Sequence, residues 1–203
     1  MVVKYILIIA MALLMQASSN PKVVLFFGDS LTAGYGLSPE QAFPALVEKS
    51  CSQNGTPCKV INAGLSGETS AGGLSRIDWV LRQPIDVFVL ELGANDGLRG
   101  LPLDQTRKNL QAIIDKVKAK YPAVKIVVAG MMVPPNLGPE YTADFKKIFP
   151  ELAKKNNATL IPFLLKDVAG YEKLNQGDGI HPNQEGHKIV AKNVYHVLSP
   201  LLQ

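Results

Sequence analysis

The sequence predicts an α/β protein in which a parallel sheet is covered on both faces by helices. Two observations carry that prediction. Short apolar runs alternate with longer segments whose apolar residues recur at helical spacing. The runs are dominated by Val, Ile, Leu and Phe without polar alternation, as strands buried on both faces require. No internal repeat, low-complexity tract or linker interrupts the pattern, so residues 20–203 are expected to form one domain.

The first strand is expected over Lys22–Phe27, where Val23 to Phe27 are all apolar, and a helix over Pro39–Ser50 follows. A second strand over Lys59–Asn62 leads to a helix over Thr69–Leu81. The third strand, Val87–Leu92, precedes a helix over Leu103–Lys120. In that helix Leu110, Ile113, Ile114 and Val117 make one apolar stripe and are core candidates. Pro122 stands just beyond it, where a helix has to stop. Strands over Lys125–Ala129 and Thr159–Phe163, with helices over Tyr141–Asn156 and Pro182–Leu198, complete the pattern.

Polar motifs sit just past the ends of the first three strands: Gly28-Asp29-Ser30, Asn62 to Glu68, and Gly93-Ala94-Asn95-Asp96. In a parallel sheet those ends share one edge, which is where open α/β folds hold ligands. Asp178 and His181, in the loop before the last helix, can reach the same edge.

Composition narrows the function. Hydrophobic residues make up 47% and charged residues 19% of 203, an ordinary globular balance that argues against long disorder. The formal charge of +4 is scattered, so no nucleic-acid footprint is expected. Residues 1–19 have the form of a cleaved signal peptide: Lys4, an uncharged apolar core from Tyr5 to Met15, then Ala17-Ser18-Ser19. An uncleaved anchor is the alternative, although the apolar run is short for a membrane span. An exported, periplasmic or secreted protein follows, with a monomer as the default and no stable membrane insertion after cleavage. In that compartment Cys51 and Cys58, which bracket a six-residue loop, are expected to form a structural disulfide.

Ser30 is a candidate nucleophile, and a serine hydroxyl needs a base to take its proton as it attacks. His181 is the best base among three histidines, since an imidazole with its ordinary pKa near ~6.5 exchanges protons around neutrality. Asp178, three residues earlier, can hold the ring's tautomer, and Pro182 stiffens the junction with the last helix. His187 and His196 lie deeper in the helical pattern and read as packing or surface residues. Asn95 and Gly67 offer an amide and an N–H for the negative charge that acyl transfer builds on a carbonyl oxygen. The G-x-S-x-G elbow of the α/β-hydrolases is absent, because Thr32 stands at its second glycine. No ligand spacing for a metal is present.

Taken together, GDSLTAGYG, NAGLSGETSAGG, ELGANDGLRG and DGIHPN resemble the motifs of the SGNH (GDSL-type) hydrolases, across roughly Val23 to Leu198. Within them the chain is most similar to the periplasmic arylesterase, acyl-CoA thioesterase and lysophospholipase group. The resemblance implies a flavodoxin-like three-layer α/β/α sandwich with about five parallel strands. It implies Ser30, Asp178 and His181 as the triad, and the Ser30 N–H, Gly67 and Asn95 as the oxyanion hole. Gly64 competes for the second donor, but the family places that donor immediately before an acidic residue, which here is Glu68. The implied substrate is a small acyl ester or thioester, cleaved without metal, nucleotide or organic cofactor. The apolar loop Met131 to Gly138 is implied to bind the acyl chain. A carbohydrate O-acetylesterase using the same triad is the alternative, and a flavin- or phosphate-binding module the non-enzymatic one.

Overall fold

A computed structural model describes residues 20–203, so the expected signal segment, residues 1–19, lies outside the described residues. Five strands form one sheet: β1 (Lys22–Gly28), β2 (Cys58–Gly64), β3 (Val87–Glu91), β4 (Lys125–Ala129) and β5 (Thr159–Ile161). All pair in parallel in the order β2-β1-β3-β4-β5. The helices are α1 (Ser30–Ala33), α2 (Phe43–Gln53), α3 (Ser70–Val80), α4 (Ala94–Leu98), α5 (Leu103–Lys120), α6 (Pro139–Asn156) and α7 (Gln184–Leu198). Helix α2 packs on α7, while α3 packs on α5 and α5 on α6, so two separate helical layers enclose the sheet. This is the flavodoxin-like α/β/α architecture.

Burial follows the apolar pattern. Val24 to Phe27 in β1 and Val87 to Leu90 in β3 are shut away from solvent, as are Leu110, Ile113, Ile114 and Val117 of α5. Helix starts are specified locally. Asp29, Thr69 and Asn183 each use a side-chain oxygen to accept a first-turn N–H, of α1, α3 and α7 respectively. Helix α5 carries Asp104 in its first turn and Lys118 and Lys120 in its last, matching the helix dipole.

Three elements depart from the expectation for physical reasons. The helix expected over 39–50 divides into a 3-10 turn at Pro39–Gln41 and α2, with Ala42 extended between them. Pro44 falls in the first turn of α2, where a missing N–H costs nothing. Strand β5 stops at Ile161 because Pro162 has no N–H for the ladder. Short helices α1 and α4 occupy stretches expected to be loops, directly after β1 and β3.

The expected disulfide is corrected. Cys51 and Cys58 are free, buried thiols, and each other's proximity draws the Cys51 pKa down and, with burial, pushes that of Cys58 up. The turn between them is already closed by backbone bonds, Thr56 N–H to Cys51 C=O at 3.0 Å and Asn54 N–H to Ser50 C=O at 3.1 Å. Both thiols therefore pack as small apolar side chains in the core. Among the described residues no helix is long and apolar enough to cross a membrane.

Candidate active site

Strand order decides where the site lies. Chain connection reverses direction between β1 and β3, and the crevice at such a switch point opens at the carboxyl ends of those strands. Ser30 begins α1 immediately after β1, and Asn95 lies in the first turn of α4 after β3. Gly67 reaches the same crevice from the turn after β2, where its φ of 79° is the left-handed value that glycine accepts without strain.

The three residues expected to act in relay form a continuous chain. Ser30 Oγ lies 2.9 Å from His181 Nε2, and His181 Nδ1 lies 2.7 Å from Asp178 Oδ2. The other oxygen of Asp178 accepts the backbone N–H groups of Ile180 and His181, each at 3.0 Å. Partial burial pushes the Asp178 carboxyl up, but the bonds from the His181 ring and from those two N–H groups outweigh it and bring the pKa to about 2. Asp178 is thus an ionised acceptor for the imidazole N–H throughout the neutral range.

The loop bearing this pair is braced from both sides. Gln176 N–H donates to His181 C=O at 2.8 Å, and Asn183 N–H donates to Leu174 C=O at 2.9 Å. Gln176 Nε2 donates to Tyr35 C=O at 2.6 Å, which ties the late loop to the early one. The Tyr35 ring leans on the imidazole with centroids 4.6 Å apart. Gly36 is required there, because a Cβ would stand 2.3 Å from Gln176 Oε1 and its φ is 77°. Tyr35 could have been suspected from its place between two glycines; no sequence signal points to Gln176.

The expected oxyanion donors converge as well. Ser30 is the first residue of α1, so its N–H has no intrahelical partner. Ser30, Gly67, Asn95 and His181 all line one cavity of about 620 Å³. Gly64 does not line it: it ends β2, packed so tightly that a Cβ would stand 2.2 Å from the Ala33 nitrogen. Behind the donors lies polar support that sequence reasoning missed. Asp96 is buried and accepts the Ser70 N–H at 2.8 Å and the Thr106 hydroxyl at 3.1 Å, bolting α4 to α3 and α5. Glu68, also buried, is gripped by the Arg76 guanidinium, and Arg99 Nη2 donates to Gly67 C=O at 2.8 Å. Asp29 and Glu91 are buried together beneath Ser30. Burial pushes Asp29 up to about 6 despite the bonds it accepts, and burial with Asp29 alongside pushes Glu91 well above the usual carboxylate range.

The remaining cavity wall is apolar. It includes Leu98, Met131, Met132, Val133, Phe163, Leu165 and Ile180. Of the loop expected to hold an acyl chain, Met131 to Pro135 line the cavity, whereas Asn136, Leu137 and Gly138 do not. His187 packs inside, its Nδ1 accepting the Phe43 N–H at 3.0 Å, and His196 is on the surface. Among the described residues no group of three or more His, Cys, Asp or Glu side chains could hold a metal ion.

A family model described as GDSL-like Lipase/Acylhydrolase matches residues 26–189. The chain is 37% identical to "Esterase TesA" of Pseudomonas aeruginosa over 96% of each chain. It is 36% identical to "Thioesterase 1/protease 1/lysophospholipase L1" of Escherichia coli K12, over 95% of this chain and 90% of that one. The psychrotrophic esterase EstA from Pseudoalteromonas sp., solved in a form inhibited by monoethylphosphonate, superposes with a TM-score of 0.83 at 34% identity, over 88% of this chain and 97% of that one.

Proposed function

Because the chain belongs to the GDSL-like lipase/acylhydrolase family, we propose that it hydrolyses carboxylic esters and thioesters through an acyl-enzyme on Ser30. The observation that carries this reading is the unbroken Ser30–His181–Asp178 chain opening into an apolar cavity. Ser30 Oγ attacks the acyl carbonyl while His181 Nε2 takes its proton, and Asp178 stabilises the imidazolium. The Ser30 N–H, the Gly67 N–H and Asn95 Nδ2 receive the developing oxyanion. His181 then returns the proton to the departing alcohol or thiol. In the second half it draws a proton from water, whose oxygen attacks the acyl carbon; the carboxylic acid leaves and Ser30 regains its hydrogen.

The substrate class follows from the wall. A cavity of about 620 Å³ lined by Met131, Val133, Phe163 and Leu165 suits an aliphatic acyl chain, and weighs against an acetylated carbohydrate. The chain acts as a monomer on small-molecule acyl substrates after export and removal of residues 1–19, and needs no cofactor. Names of relatives that include esterase, thioesterase and lysophospholipase support this breadth.

The test is hydrolysis of p-nitrophenyl esters and acyl-CoAs of increasing chain length by wild type and Ser30→Ala. Turnover by the variant should fall by about three or more powers of ten with the fold intact. Undiminished turnover would remove Ser30 from the mechanism.

A further inference from the structure

Two residues of α4 and its C-terminal cap reach across to the turn that carries Gly67. Asn95 and Arg99 stand four apart, and the Arg99 N–H donates to Asn95 C=O at 3.2 Å, so their side chains leave one face of the helix. Asn95 Nδ2 donates to Glu68 C=O at 3.1 Å and to Asp29 Oδ2 at 3.1 Å. Arg99 Nη2 donates to Gly67 C=O at 2.8 Å. Two successive carbonyls of one turn are thus held from the helix that supplies the Asn95 amide.

The turn depends on that grip at its apex. Glu68 N–H closes it onto Leu65 C=O at 3.1 Å, and Gly67, third of its four residues, has a φ of 79°, the combination of a type II turn. Its ends are anchored elsewhere: Leu65 N–H donates to Gly28 C=O at 2.9 Å, and the Glu68 carboxylate is gripped by Arg76. Among the described residues the Gly67 N–H has no hydrogen-bond partner, and no Cβ restrains the backbone there. The peptide after Gly67 is held at both ends, by Leu65 and by Arg99. Arg99 is exposed and does not line the cavity. It pairs with no carboxylate among the described residues, so holding this carbonyl is what its guanidinium does there.

Resting on the catalytic reading above, we infer that Arg99 is a positioning residue: it holds the Gly67 N–H at the spacing from the Asn95 amide that lets one oxyanion take both bonds. Without it the turn keeps its two ends and loses the tie at its apex, and the N–H swings with the glycine. A displaced donor still admits substrate, because the ground-state carbonyl asks little of it. The oxyanion formed in both acylation and deacylation asks most. The loss therefore falls on kcat rather than on KM.

The experiment is steady-state kinetics on p-nitrophenyl butyrate, an uncharged ester, for wild type, Arg99→Met, Gly67→Ala and the double variant, with melting temperatures alongside. Arg99→Met should lower kcat by about 5- to 50-fold, with KM within about twofold and Tm little changed because the side chain is exposed. In Gly67→Ala the Cβ has room, with Arg99 Nη2 nearest at 3.8 Å, so its effect comes from straining the left-handed φ, which displaces the same donor. Adding Arg99→Met to it should then lower kcat by less than about twofold more. An Arg99→Met kcat equal to wild type, a rise in KM alone, or effects that multiply in the double variant overturns the inference. If Gly67→Ala does not fold, the division between kcat and KM decides it. Absence of any ester or thioester hydrolysis by wild type would instead sink the proposed function.

Discussion

His187 offers a sharp test of how burial on the packing face sets acid stability. Only 2% of it is exposed, and its Nδ1 accepts the Phe43 N–H, so the neutral ring carries its proton on Nε2. Protonating Nδ1 would bury a charge and break that bond together. Burial first, and the charge of nearby His181 second, bring its pKa from 6.5 down to about 4. The unfolded chain therefore takes up this proton before the folded one does. The stability that neutral His187 contributes is complete above about pH 6.5 and is lost as pH falls toward 4, in an amount of about 3 kcal/mol. For a domain of this size that is about 6–12 °C in Tm. Asp29 works in the opposite sense: its raised pKa favours the folded state on acidification. Wild type alone would thus blur the effect, and a comparison isolates it. In His187→Asn the amide oxygen can still accept from Phe43 and nothing titrates. Urea unfolding should find the variant less stable at pH 7 by about 1–2 kcal/mol, from the cavity beside the Phe43 ring. The difference should close and then reverse near pH 4.5. An equal gap at both pH values would refute the argument.

Two further outcomes test the site. Asp178→Asn should lower kcat by about 5- to 1,000-fold, from the ~1–4 kcal/mol that a partly solvated charge pair supplies, measured on p-nitrophenyl butyrate at saturation. This is less than the ~10⁴ of a fully buried triad, because Asp178 is exposed. Gly97→Ala would place a Cβ 2.4 Å from Val133 Cγ1 and 2.7 Å from Phe145, forcing α4 off the apolar cavity wall. It should lower Tm by several degrees and reduce kcat on long-chain more than short-chain esters, which paired melting and chain-length assays would read.

Much of the architecture is legible in the chain because its signals are local. Strand β1 announces itself in Val23 to Phe27, and α5 in the stripe from Leu110 to Val117, since each periodicity spans only a few residues. The polar motifs could be assigned to one rim because every parallel strand delivers its carboxyl end to the same side. Asp178 and His181 are three apart, so their pairing was readable too. Helices α1 and α4 were not, being four and five residues long, too short for any period to register.

What the sequence determined by itself is thus the inventory: which segments are buried, which loops carry chemistry, and which side chains are fit for it. Tertiary structure alone decided that β1 and β3 are neighbours. From that single adjacency come the Asp29–Glu91 pair, 62 residues apart, and the Asn95–Asp29 bond, 66 apart. It also decided that Gln176 reaches Tyr35, and that Cys51 and Cys58 meet as thiols in the core. A buried polar group must be satisfied by whatever the packing brings beside it, and no local pattern encodes that neighbour.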